Sequence, residues 1–131
     1  MNRYFEEVLN AHVLIRSWLS DKDAKDAICE NLLARFSPEY SMVTPGGNLL
    51  DFTTLNAFFR TQRGSRPGLE IDISDMQIVT ESENGATVVY KELQKLPGQD
   101  PTLRFSTVVF ALSHNGEVSW RHLHETSIPR H

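Results

Sequence analysis

The hydrophobic pattern changes period part-way along the chain, and this switch constrains the fold more than any other feature. Through Phe59 the apolar residues recur at three-and-four spacing, whereas from Leu69 onward they alternate. Helices followed by strands are the order of an α+β fold. Phe5, Val8, Leu9, His12, Ile15 and Leu19 make one buried helical stripe, which Ser20-Asp21 ends. Ser20 or Asp23 caps a second helix carrying Ala24, Ala27, Ile28, Asn31, Leu32 and Phe36, and Ser37-Pro38 closes it. A short strand from Tyr40 to Thr44, a turn at Pro45-Gly46-Gly47-Asn48 and a return through Leu49 to Phe52 come next. Thr53 or Thr54 then caps a third helix that carries Leu55, Phe58 and Phe59 inward and stops before Gly64-Ser65-Arg66-Pro67-Gly68.

The alternating half reads as four strands, near 69–80, 86–96, 103–113 and 117–127. Leu69, Ile71 and Ile73 share a face, then the apolar phase slips by one to Met76 and Ile78. Such a slip predicts a β-bulge at Asp75, and a bulge bends a sheet so that it can cup a cavity. Glu83-Asn84-Gly85 and His114-Asn115-Gly116 read as three-residue hairpin loops with glycine in the left-handed position. With the second loop so placed, Leu112 faces Val118, Phe110 faces Trp120, Val108 faces His122 and Ser106 faces His124.

This register puts chemistry on one face of the sheet. Trp120, His122 and His124 alternate along the last strand, Tyr90, Glu92 and Gln94 along an earlier one, and Arg104 and Ser106 along the strand between. The face grades from a greasy floor of Val108, Phe110, Leu112 and Trp120 to a polar mouth. Glu92 as base with His122 or His124 as acid partner suits proton transfer, because burial and neighbouring charge retune both group types. Arg104 paired with Glu92 would instead leave an ionised, orienting carboxylate. In a binding module without chemistry, Tyr90, Gln94, Arg104, Ser106 and Trp120 hold a small acidic or amphipathic ligand, with the guanidinium on its anion. A face packed solid as core is the remaining reading. His122-x-His124 with Glu92 could supply metal ligands, but no second cluster supports it and Glu125 points to the other face, so no metal and no cofactor is expected. His12 lies on the helical stripe, where a buried, hydrogen-bonded imidazole is the simpler expectation and a pocket-facing one the alternative. His114 in a turn and the terminal His131 are weak candidates.

Composition narrows the class. At 131 residues one domain spanning 1–131 is expected, with a core large enough to need no disulfide. Cys29 is the single cysteine, and it reads as a small apolar helix residue. The net charge of −4 has its signs interspersed, with no basic stripe for nucleic acid. The start, Met1-Asn2-Arg3-Tyr4-Phe5-Glu6-Glu7, has acids where a signal peptide needs an apolar run, and no stretch approaches a membrane span, so a cytoplasmic protein is expected.

The order of two long helices, a short hairpin, a third helix and a curved antiparallel β-sheet resembles the nuclear transport factor 2-like, or cystatin-like, cone. Phe36-Ser37-Pro38-Glu39-Tyr40, the Gly46-Gly47 turn, Val89-Tyr90-Lys91-Glu92 and the ending from Gly116 to Thr126 are similar to SnoaL-like bacterial proteins of unknown function. The Trp-x-x-His-x-His spacing also resembles the end of the calcium/calmodulin-dependent kinase association domain. The resemblance implies three helices packed on the sheet, a pocket for a small molecule of undetermined identity, and a homodimer through the outer face of the sheet. It leaves activity open, since this scaffold hosts isomerases, dehydratases, cyclases and oligomerisation modules alike.

Overall fold

A computed structural model describes residues 1–129, so His131 lies outside the described residues. Helix α1 runs from Arg3 to Ser20 because the Asn2 side chain accepts the free N–H groups of Tyr4 and Phe5, at 2.7 and 3.4 Å, and extended backbone at Asp21 stops it. It buries Val8, His12 and Leu19 of the expected stripe together with Ala11, while Phe5, Leu9 and Ile15 are only partly buried. Trp18 is buried too, and its indole N–H donates to the carbonyl of Phe59 at 2.6 Å, tying α1 to the third helix.

Helix α2 spans Asp26–Leu33, shorter than the periodicity suggests. Phe36 does not extend it; Phe36–Val43 is strand β1, whose first residue pairs with Trp120. Pro38 disfavours helix at the residue before it, and the bond from the Trp120 N–H to the carbonyl of Arg35, 2.9 Å, pulls this segment into the sheet instead. The turn at 45–48 leads to β2, Leu49–Asp51. Helix α3, Phe52–Thr61, is capped by Asp51, which accepts the Thr54 N–H at 2.9 Å, so Thr53 and Thr54 fall inside its first turn rather than capping it. Leu55 and Phe59 are buried, but Phe58 is half exposed.

Strands β3 (Glu70–Ser82), β4 (Gly85–Lys95), β5 (Thr102–Leu112) and β6 (Val118–Ser127) complete one sheet in the order β2-β1-β6-β5-β4-β3. It is a six-stranded mixed sheet rather than a purely antiparallel one, because β1 runs parallel to β6. The α+β cone of three helices on a curved sheet is otherwise as expected. The bulge at Asp75 is present: the register shifts between Ser74 and Gln77, and Asp75 has φ +55°. A second shift at Val79 bends β3 again.

The two hairpins differ. Gly116 adopts φ +84° and Ser113 N–H bonds to the carbonyl of Glu117 at 2.9 Å, the expected three-residue loop. In the other, Ser82 pairs with Gly85, leaving the two-residue loop Glu83-Asn84. Gly85 belongs to the strand, at φ +149°, and a Cβ there would stand 2.0 Å from the carbonyl oxygen of Phe110. Close approach of β5, not the turn, demands that glycine.

Register in β6 departs from the expected one at a single residue. Leu112 lies opposite Val118 and Phe110 opposite Trp120, but the next pair is Val109 with His122, so Arg121 is the extra residue of a bulge. Beyond it Leu123 faces Val108 and Glu125 faces Ser106. The alternation therefore inverts: Leu123 and Glu125 are buried inward, and His122 and His124 turn to the outer face.

Candidate functional site

A cavity of about 320 Å³ lies between the helices and the inner face of the sheet. Ile15 and Leu19 of α1, Leu55 and Phe59 of α3, Met42 of β1 and Leu123 of β6 give it apolar walls. Burial along β4 gives its direction: Tyr90 and Glu92 are 1% and 3% exposed, while Gln94 is half-buried. The polar groups thus run from a buried interior outward past Gln94, Arg104 and Arg66, which all line the space.

The deepest polar group is an ion pair that spans the layers. His12 Nε2 of α1 lies 3.1 Å from Oε1 of Glu92 on β4, and both side chains are buried. His12 Nδ1 is 2.7 Å from the carbonyl oxygen of Val8, a group that can only accept, so Nδ1 carries a hydrogen. A neutral imidazole with that tautomer would turn a bare Nε2 toward a carboxylate oxygen. The pair must therefore hold one more proton between its members. Burial opposes charge on each partner, but here it loses. Burial pushes the Glu92 carboxyl up, yet the charge and hydrogen bond of His12, with the Gln94 amide donating to Oε2 at 2.6 Å, hold it at about 2. Burial likewise lowers His12, and the same carboxylate, with the Val8 carbonyl and the charge of Glu125, more than reverses it.

A second carboxylate, Glu125, enters the cavity through the β6 bulge. Arg104 Nη1 contacts its Oε1 at 3.1 Å and the Ser106 hydroxyl donates to its Oε2 at 3.2 Å. Burial raises the Glu125 carboxyl, and the charge of Glu92 adds to this; Arg104 and Ser106 offset only part. Arg104 accordingly serves Glu125 rather than sitting in hydrogen-bond contact with Glu92. Arg66, from the loop after α3, is different. Its Nε is buried with no hydrogen-bond partner, its Nη2 reaches Oε1 of Gln94 only at 3.5 Å, and it has no ion-pair partner among the described residues.

Of the residues expected at the site, Glu92, Gln94, Arg104 and Trp120 line the cavity. Tyr90 and Ser106 are buried behind that lining, Tyr90 against the His12 ring at 5.6 Å and Ser106 on Glu125. His122 and His124 are not brought to it. His122 Nδ1 meets the Ser41 hydroxyl at 2.7 Å, and His124 is exposed opposite Thr107. Among the described residues no three His, Cys, Asp or Glu side chains converge as a metal would require, and no helix is long and apolar enough to cross a membrane. His12, Glu125 and Arg66 are the lining groups that pattern reading left out or set aside. The step of three from Trp120 to Leu123 was the signal for Glu125, the same slip that marks Asp75.

The fold compares with solved structures over its full length. An NTF-2-like protein of unknown function from Pseudomonas aeruginosa is 40% identical, with a TM-score of 0.91 over 96% of this chain and 98% of that one. The chain belongs to the NTF2-like family. More distant likenesses show the fold alone: the association domain of CaMKII from C. elegans, 16% identical with a TM-score of 0.71 over 95% of each chain, and a ketosteroid isomerase-like protein from Erwinia carotovora atroseptica, 12% identical with a TM-score of 0.63 over 99% of this chain and 100% of that one. No protein-family model and no curated protein sequence matches this NTF2-like chain.

Proposed function

We propose that the cavity binds a small amphipathic organic acid, its carboxylate on Arg66 and its apolar body between α3 and β1. One observation carries this reading: the side-on edge of the Arg66 guanidinium is unfilled, with a partnerless Nε beside an Nη2 that has only a long contact. A buried N–H without an acceptor costs about 1–3 kcal/mol, and a carboxylate bound bidentately on Nε and Nη2 would satisfy both donors. Charge points the same way. His12 balances Glu92 and Arg104 balances Glu125, so Arg66 is the uncompensated cation of the lining. The volume, about 320 Å³, is at the low end for small-molecule sites and suits a short acyl or aryl acid.

Calorimetric titration with octanoate and its uncharged isostere octanamide tests this. Octanoate should bind about tenfold or more tighter, and Arg66→Gln should erase the difference, as loss of a charge-assisted pair predicts. Equal affinity for acid and amide would end the proposal.

A proton-transfer enzyme built on Glu92 with His122 or His124 has less behind it. A carboxyl held at about 2 is a feeble base at neutral pH, and the two imidazoles face outward. For quaternary structure we propose a homodimer through the outer sheet face, where Val79, Phe105 and Val109 leave apolar surface open. Sedimentation equilibrium of wild type and Phe105→Glu distinguishes dimer from monomer.

A further inference from the structure

We propose that the proton shared by His12 and Glu92 is linked to anion binding, so that this cavity holds an organic acid more tightly while that proton is in place. The proposal rests on the carboxylate reading of Arg66 and adds its regulation.

Counting charges in the lining gives the reason. A bound carboxylate would join Glu92 and Glu125 as a third anion, against the guanidiniums of Arg66 and Arg104. With Glu92 and Glu125 both ionised, the additional proton on the His12–Glu92 pair brings the balance to zero. Without it the apolar cavity would hold an unmatched negative charge, which low dielectric penalises heavily. Geometry makes this proton one that can be lost. Nδ1–H is committed to the Val8 carbonyl at 2.7 Å, so the titrating proton is the one in the 3.1 Å gap between Nε2 and Oε1.

The groups around the imidazole come from every element packed on it. Glu92 and Tyr90 face it from β4, while Trp120 and, at longer range, Glu125 face it from β6. Arg104 of β5 acts on it through Glu125. On its other side His12 lines a groove of about 310 Å³ between α1 and β3, with Arg16 on one wall and Glu70 and Asp72 on the other. His12 thus borders two spaces, the cone cavity and this groove.

Linkage is reciprocal: if the proton favours the anion, the anion favours the proton to the same degree. The experiment follows the His12 Cε1–H resonance from pH 5 to 10 in protein alone and saturated with octanoate, alongside octanoate affinity across that range. Bound octanoate should raise the His12 midpoint by about one pH unit, and the Kd should then weaken about tenfold between the free and bound midpoints. In Glu92→Gln, which removes an anion together with the shared proton, octanoate affinity should lose its dependence on pH. An unmoved His12 midpoint with flat affinity, or a Glu92→Gln variant keeping the wild-type profile, overturns the linkage while leaving the carboxylate site standing. No octanoate binding at pH 6 would remove the site itself, and the linkage with it.

Discussion

The imidazole of His12 and the carboxylate of Glu92 meet at 3.1 Å across 80 positions of sequence, joining the first helix to the middle of the sheet. Their shifts act on opposite sides of neutrality. Glu92 drops from 4.5 to about 2 on folding, so its contribution is present above about 4.5 and is lost as pH falls toward 2. His12 rises from 6.5, so its contribution is complete below 6.5 and is lost as pH climbs through the raised value. Thermal unfolding should therefore show its highest midpoint between about pH 5 and 6.5. Glu92→Gln keeps a donor for the bare Nε2 and should flatten both flanks, whereas Glu92→Leu leaves His12 and Gln94 unpaired and should cost about 3–5 kcal/mol. A wild-type curve still rising at pH 8 would contradict this account.

Glu7 holds two partners from distant elements. Its Oε2 accepts the indole N–H of Trp120 at 3.0 Å and its Oε1 the Arg35 guanidinium at 2.6 Å. Removing the carboxylate in Glu7→Ala orphans a buried indole N–H, which predicts a loss of about 2–3 kcal/mol and a shifted Trp emission maximum. Glu7→Gln keeps an acceptor and should recover about half of that loss. Denaturant midpoints of the two variants, compared at equal slope, measure the difference.

Legibility in the sequence followed the range of the forces involved. Local signals sufficed for α1, whose stripe and its end at Ser20-Asp21 need only neighbouring residues, and for the strand alternation from Leu69 on. The bulge at Asp75 was readable because its apolar slip lies within one strand. What failed depended on another chain segment. Phe36 reads as the end of a helix until Trp120 pairs with it, and Gly85 reads as a turn glycine until Phe110 crowds it. At the site, Glu92, Gln94 and Arg104 were found because β4 and β5 pair without a shift. His122 and His124 were misplaced by one extra residue, Arg121, whose guanidinium donates to the Glu39 carbonyl at 2.6 Å. Arg66 comes from a loop, where no periodicity operates.

The two hairpin glycines separate crowding from backbone strain. A methyl group at Gly116 would meet nothing within 4 Å, so Gly116→Ala should cost only the left-handed backbone, about 1–2 kcal/mol. At Gly85 the same methyl meets the Phe110 carbonyl at 2.0 Å, and β4 and β5 cannot stay hydrogen-bonded around it. Gly85→Ala should cost more than about 3 kcal/mol. Urea denaturation ranks the pair, and equal losses would mean that the close approach of β5 is not what fixes Gly85.

Inversion of β6 at Arg121 makes the final prediction, because it reverses which side chains of one strand bear on the cavity. His122 and His124 sit on the outer face, so the double variant His122→Ala with His124→Ala should leave octanoate affinity within about twofold, while losing the Ser41 bond costs about 1 kcal/mol of stability. Glu125→Gln acts inside. It removes the partner of Arg104, and the freed guanidinium becomes a second cation for the ligand carboxylate, so octanoate should bind tighter, by about threefold to tenfold. A register without the bulge predicts the reverse: histidine variants that destroy binding and a Glu125 variant with no effect. Measuring both variants by the same titration decides between the two registers through function, since they differ by a single residue in β6.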